Sequence, residues 1–193
     1  MQLLWKVLIR GDLMKGLMKD IYVNMSGINL DGDIIDFSVK GNTIIPEIVD
    51  NIKSVKQDMG CEKDYRKWDC KKNFIEEINE KYDYALFFFS LNIVFGERKY
   101  DKLIKDAKKI LKGNGTLIIW DIPSLPLTIN KYNIRVRISN EKIITMPYML
   151  GFNPFRVKYT KVIDILKRNG FNISKNNIKN DYYYIEANTT KEG

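Results

Sequence analysis

Histidine is absent from the 193 residues. That absence excludes imidazole triads, histidine-ligated metals and histidine general bases together. Cysteine occurs only at Cys61 and Cys70, too few for a disulfide framework or a four-cysteine zinc site. Long hydrophobic runs are missing as well. The most apolar stretch, Ala85 to Phe95, has 11 residues and is broken by Ser90 and Asn92, whereas crossing a bilayer takes about 20. Leu3, Leu4 and Trp5 form an apolar patch near the start, with no long apolar core and no small-residue cleavage site after it. These absences point to a cytoplasmic protein with reduced thiols and no metal centre.

Arginine is scarce too, at 7 against 25 lysines. Lys+Arg 32 and Asp+Glu 24 leave a net charge of +8. The lysines are dispersed and interleaved with acids, where a nucleic-acid footprint forms a patch or stripe. We therefore read a solvated basic surface, with no specific nucleic-acid partner. What the chain does have is apolar material, at 45% hydrophobic and 12% aromatic residues, enough for a folded domain of this length.

The apolar pattern divides the chain. Over residues 3–25, Leu13, Leu17 and Ile21 recur every four positions, as do Met14, Met18 and Tyr22. That spacing predicts an amphipathic helix, and its basic flank suits packing on the main domain, a lid role or peripheral membrane contact. Short apolar runs at 32–39, 53–59 and 65–70 read as strands. Tyr84 to Ser90 is apolar on both faces, as in a parallel strand covered on both sides. Arg98 to Lys112 is helical, with Tyr100, Leu103, Ile104, Ala107, Ile110 and Leu111 on one face, and Gly113-Asn114-Gly115 stops it. Thr116 to Asp121 is another buried strand. Alternating runs around Ser139-Asn140-Glu141 signal a hairpin. A helix follows from Tyr159, with Thr160 as its N-cap, and strands at 171–174 and 181–187 close the pattern. This divides the chain into an N-terminal helical segment at 1–29, a main domain at 30–187 with a hairpin insertion at 130–150, and a polar tail at 188–193.

Alternating strands and helices with short links imply an α/β fold, a Rossmann-like doubly wound and mainly parallel sheet. Ligands of such sheets sit at the carboxyl ends of the strands. The positions to inspect are thus Ser38 to Asn42, Asp58-Met59, Asp69-Cys70, Phe88 to Leu91 and Asp121 to Pro123.

The block Lys81-Tyr82-Asp83-Tyr84-Ala85-Leu86-Phe87-Phe88-Phe89-Ser90-Leu91 resembles the fourth-strand motif of class I S-adenosylmethionine-dependent methyltransferases. Lys109 to Ile119 is similar to their "R-x-L-K-P-G-G-x-L-x-I" stretch. Phe155-Arg156-Val157-Lys158-Tyr159-Thr160 with Arg168-Asn169-Gly170-Phe171 resembles a segment of bacterial methyltransferases often tied to cell-surface polysaccharide pathways. The resemblance covers about residues 30–187. It implies a seven-stranded sheet with an antiparallel final strand, S-adenosylmethionine as cofactor, and a small-molecule or glycan substrate. Laid onto this chain, Asp58, 22 residues after Asp36, would hold the ribose hydroxyls. Asp69 would meet the adenine amino group. Met59, Cys70, Phe88, Phe89 and Ser90 would line the cofactor, and Arg156 and Tyr159 would touch substrate.

Two departures stand out. The family's first loop, D/E-x-G-x-G-x-G, lets backbone approach cofactor. Here Asp36-Phe37-Ser38-Val39-Lys40-Gly41-Asn42 fills all three glycine positions. Lys40 could pair with the cofactor's carboxylate. After the fourth strand many relatives read "L-E-H", and this chain reads Leu91-Asn92-Ile93, without acid or imidazole. Methyl transfer also runs on orientation alone, because the sulfonium is already activated. Two functional classes follow: a methyltransferase with a divergent loop, or a catalytically degenerate methyltransferase fold serving as a binding or regulatory subunit. An RNA-binding role ranks behind both.

Overall fold

The computed structural model describes residues 18–28, 30–37, 55–57, 81–123, 130–151, 153–179 and 181–190. The chain divides into two compact units, Met1–Ser26 with Thr128–Phe152, and Gly27–Leu127 with Asn153–Gly193.

The first unit is a three-stranded sheet of β1 (Lys19–Asn24), β6 (Asn130–Arg137) and β7 (Ile143–Leu150), in the order β1-β6-β7. The helix expected over residues 3–25 is corrected here for its last turns: Lys19–Asn24 is a strand, parallel to β6. The reason is a change of period. Ile21 and Val23 are buried while Tyr22 between them is 63% exposed, which is alternation of period two. The four-residue recurrence that ran into Ile21 begins at Leu13, and residues 1–17 lie outside the described residues. β6 and β7 pair antiparallel around the turn at 138–142.

The second unit holds a six-stranded sheet among the described residues, in the order β3-β2-β4-β5-β9-β8. Its strands are β2 (Ile34–Asp36), β3 (Val55–Gln57), β4 (Tyr82–Phe88), β5 (Leu111–Asp121), β8 (Phe171–Ile178) and β9 (Tyr183–Thr189). β3, β2, β4 and β5 run parallel. β9 runs antiparallel to both β5 and β8, between which it lies. The strand expected at 65–70 lies outside the described residues.

β4 is buried on both faces: Ala85 and Phe87 on one, Leu86 and Phe88 on the other, all at 0% exposure. Two helices cover the first face, α1 (Glu97–Ile110) and α2 (Tyr159–Arg168). α1 buries Tyr100, Leu103, Ile104, Ala107 and Ile110, the stripe its spacing requires. α2 adds Val162, Ile165 and Leu166 to the same core. Each such aliphatic side chain contributes about 1.5–3 kcal/mol on burial. The expected Thr160 cap is also corrected. Lys158 occupies the capping position, no side chain caps the helix, and Thr160 already lies within it. Gly170, just past the end of α2, has a left-handed φ of +73°. A Cβ there would stand 2.8 Å from Lys108 Nζ, the tip of a flexible side chain that can move aside, so it is the left-handed turn that calls for glycine.

Candidate functional site

The chain goes from β2 outward to β3, then returns to β4 on the other side of β2. The reversal of strand order therefore falls between β2 and β4, and the carboxyl ends at such a reversal are where open α/β sheets bind their ligands. Asp36 is the last residue of β2 and is fully buried. The next amide, Phe37 N–H, donates to Leu86 O at 2.8 Å, and the Phe37 ring stacks on Phe87 at 4.7 Å. These contacts tie the end of β2 to β4.

Phe88 ends β4 and packs edge-on to Phe89 at 4.8 Å and to Trp120 at 6.0 Å. Phe89 has a φ of +50°, the one described non-glycine residue in the left-handed region. That conformation costs roughly 1–2 kcal/mol for a side chain with a Cβ. Full burial of the ring, about 1.5–3 kcal/mol, offsets it. A bond from Phe89 N–H to Trp120 O at 2.8 Å holds the bend. The chain thus turns sharply just where β4 ends. Ser90 follows, 6% exposed, and its Oγ has no hydrogen-bond partner among the described residues.

A 3-10 turn, Leu91–Ile93, comes next, and it is anchored from β5. Asp121, the last residue of β5, is fully buried. Its Oδ2 accepts the backbone N–H groups of Leu91 at 2.7 Å and Asn92 at 3.0 Å. Its Oδ1 accepts Ile122 N–H at 2.7 Å and the Asn92 side-chain amide. Asn92 Nδ2 also donates to Ile122 O at 2.9 Å. Burial pushes the Asp121 carboxyl up to about 7, against the downward pull of these donors. Asn153 holds the turn from another segment, its Nδ2 donating to Asn92 O at 3.0 Å and to Val94 O at 3.1 Å. Gly96 N–H donates to Phe155 O at 3.2 Å and completes the link.

Arg156 follows that docked segment and is half-buried. Tyr159 opens α2, and its ring lies 5.1 Å from that of Tyr183, the register partner of Asp121. The Tyr159 hydroxyl donates to Asn176 Oδ1, and burial raises its pKa. The structure therefore brings Asp36, Phe88, Phe89, Ser90, Asp121 and Tyr159 to one end of one sheet. Ser38, Lys40, Gly41, Asn42, Asp58, Met59, Asp69 and Cys70 lie outside the described residues. Among the described residues no cluster of acids and cysteines could hold a metal ion. No helix among them is long and apolar enough to cross a membrane.

No family model and no curated protein matches the sequence. Solved structures do match. An S-adenosylmethionine-dependent methyltransferase from Clostridium acetobutylicum aligns over 96% of this chain and 90% of its own, with a TM-score of 0.54 at 13% identity. A second, from Methanosarcina mazei, aligns over 86% of this chain and 95% of its own, with a TM-score of 0.54 at 14% identity. The fold is that of class I S-adenosylmethionine-dependent methyltransferases. A glycopeptide N-methyltransferase complexed with S-adenosylmethionine shares it, at a TM-score of 0.50 and 10% identity over 92% of this chain and 95% of its own. At these identities the likeness is one of fold.

Within this methyltransferase fold, sequence reasoning reached the strand ends and missed what joins them. Asn92 read as the absence of an acid. In the structure the acid comes from Asp121 on the neighbouring strand, 29 residues away. Asn153 was not singled out, although the following Pro154 is a turn signal.

Proposed function

We propose that this chain is a methyltransferase that binds S-adenosylmethionine above the carboxyl ends of β2 and β4. One observation carries the reading: the reversal of strand order falls at Asp36 and Ser90, and the buried Ser90 hydroxyl has no partner among the described residues. A buried hydroxyl left unpaired costs about 1–3 kcal/mol, so a polar ligand group at this place fits it. Phe88 and Phe89 supply apolar surface beside it. In this reading Asp58 binds the ribose hydroxyls and Asp69 the adenine amino group. Ser38, Lys40, Gly41 and Asn42 form the first loop, with Met59 and Cys70 beside their acids. When bound, the cofactor supplies a methyl group already activated by its sulfonium.

The work left to the protein is then to bind and orient the acceptor. Arg156 and Tyr159 are the substrate contacts we assign. The acceptor class is a small molecule or a glycan precursor of the cytoplasm. Asp121 is not the general base, because both of its oxygens already accept N–H donors.

Calorimetric titration with S-adenosylmethionine and S-adenosylhomocysteine tests the reading. Saturable heat is expected for both, and no heat at millimolar ligand overturns it. Asp58→Ala should abolish binding, and unchanged affinity would remove Asp58 from the site. Transfer of a labelled methyl group to fractionated small molecules or to glycans then separates the two acceptor classes.

A further inference from the structure

We infer that Asp121 is a positioning residue: its carboxylate fixes the turn after β4 and so sets the shape of the cofactor pocket wall. The inference rests on the methyltransferase reading above.

The argument is one of connectivity. Three of the four donors on Asp121 belong to the turn: Leu91 N–H, Asn92 N–H and the Asn92 side-chain amide. The fourth, Ile122 N–H, belongs to its own strand. The carboxylate therefore clamps the end of β5 to the turn that leaves β4. No cation pairs with Asp121 among the described residues. Bonds from N–H to a carboxylate are stronger than neutral ones and set direction as well as distance.

The turn needs such a clamp. Its entry is the left-handed Phe89, a strained conformation that persists only when its surroundings impose it. Its exit is held by Asn153, which donates to Asn92 O and Val94 O. Ser90 lies between the strained residue and the clamped ones. Displacing the turn displaces Ser90, the buried hydroxyl assigned to the cofactor. Asp121 touches neither cofactor nor substrate in this arrangement, so its effect passes through Leu91 and Asn92.

Two measurements on the full chain test this, amide hydrogen exchange without ligand and titration with S-adenosylhomocysteine. Asp121→Asn keeps the side chain's shape but replaces one accepting oxygen by an NH2 group that accepts nothing. Exchange at the Leu91 and Asn92 amides should accelerate, and affinity should fall by about tenfold or more, the equivalent of one lost charged hydrogen bond. Leu103→Ala, a core truncation on α1, is the control. It should lose stability yet bind the ligand as the wild type does, which separates positioning from general destabilisation. Should Asp121→Asn fail to fold, Asn92→Ala removes the side-chain donors alone, with about threefold weaker binding expected. Faster exchange with wild-type affinity overturns the positioning role, and so does unchanged exchange. A wild-type chain that binds no S-adenosylhomocysteine overturns the methyltransferase reading itself, and the inference with it.

Discussion

The two ends of the β4–β5 strand pair each carry a carboxylate, held in different ways. At the amino end Asp83 meets Lys112 Nζ at 2.7 Å, and Asp33 meets the same amine at 3.2 Å. The three side chains are 29%, 38% and 43% exposed for Asp83, Lys112 and Asp33. At the carboxyl end Asp121 is fully buried and is satisfied by N–H groups. Water screens the first arrangement, and its net worth is about 0–1 kcal/mol. The second is shielded from water, and every donor it holds would be stranded without it. At the amino end the carboxylate thus shares a screened lysine and holds one backbone N–H, that of Asp33 at 2.8 Å, whereas at the carboxyl end it holds three backbone N–H groups in a buried site, beside the proposed cofactor pocket.

The sharpest way to break this comparison is Asp121→Ala. It leaves four N–H donors unpartnered in a buried site, and a loss of about 3 kcal/mol or more is expected in chemical denaturation. A loss under about 1 kcal/mol would make the two ends equivalent.

Acid–base titration of stability separates the buried Asp121 from a surface carboxylate by sign. The folded value for Asp121, about 7, lies above its ordinary 3.8. The native state thus holds this proton more tightly than the unfolded chain. Its contribution is fully present below about pH 4 and is lost as pH rises through about 7. Asp101, in the surface network of α1 and α2, behaves oppositely. Burial acts to raise it, but donors from Lys105, Asn169 and Arg168 hold it down to about 2 from an ordinary 3.8. Its contribution is present above about pH 4 and is lost as pH falls through about 2. Denaturation across pH should show both slopes, neither steeper than about 1.4 kcal/mol per pH unit. Asp121→Asn should remove the neutral-range slope and keep the acid one. A neutral-range slope that survives in Asp121→Asn would assign it to another group.

The smallest effect is expected at the amino end. Lys112→Met should change stability by about 1 kcal/mol or less, and added salt should shrink the difference further. A larger, salt-independent loss would mean that this end is also built on its charges.

Much of the fold was legible in the sequence because its signals are local. β4, α1 and the end of β5 follow from a doubly apolar run, a 3.6-residue stripe and the apolar run Thr116 to Asp121; the expected glycine stop after Lys112 is corrected, because α1 ends at Ile110 and the glycines lie inside β5, which begins at Leu111. The strand at Lys19–Asn24 was not legible, since its partner β6 lies more than 100 residues away and a helical recurrence overlaps its first residues. Asp36, Phe88, Phe89 and Ser90 could be placed at strand ends from pattern alone. The bond between Asp121 and Asn92 could not, because it crosses from one strand to the loop of another. Nor does sequence suggest a left-handed Phe89, as a bulky aromatic is the wrong residue to signal such a turn.

The antiparallel β9 carries a consequence for how the protein is made. It lies between β5 and β8 in the sheet, yet it follows both in the chain. A ribosome delivers residues in order, so one edge of β5 stays open until residues 183–189 have emerged. Until then Leu117 and Ile119 have no completed core to share. The nascent chain meets the cell with an unguarded apolar strand, and only the closing strand removes that hazard.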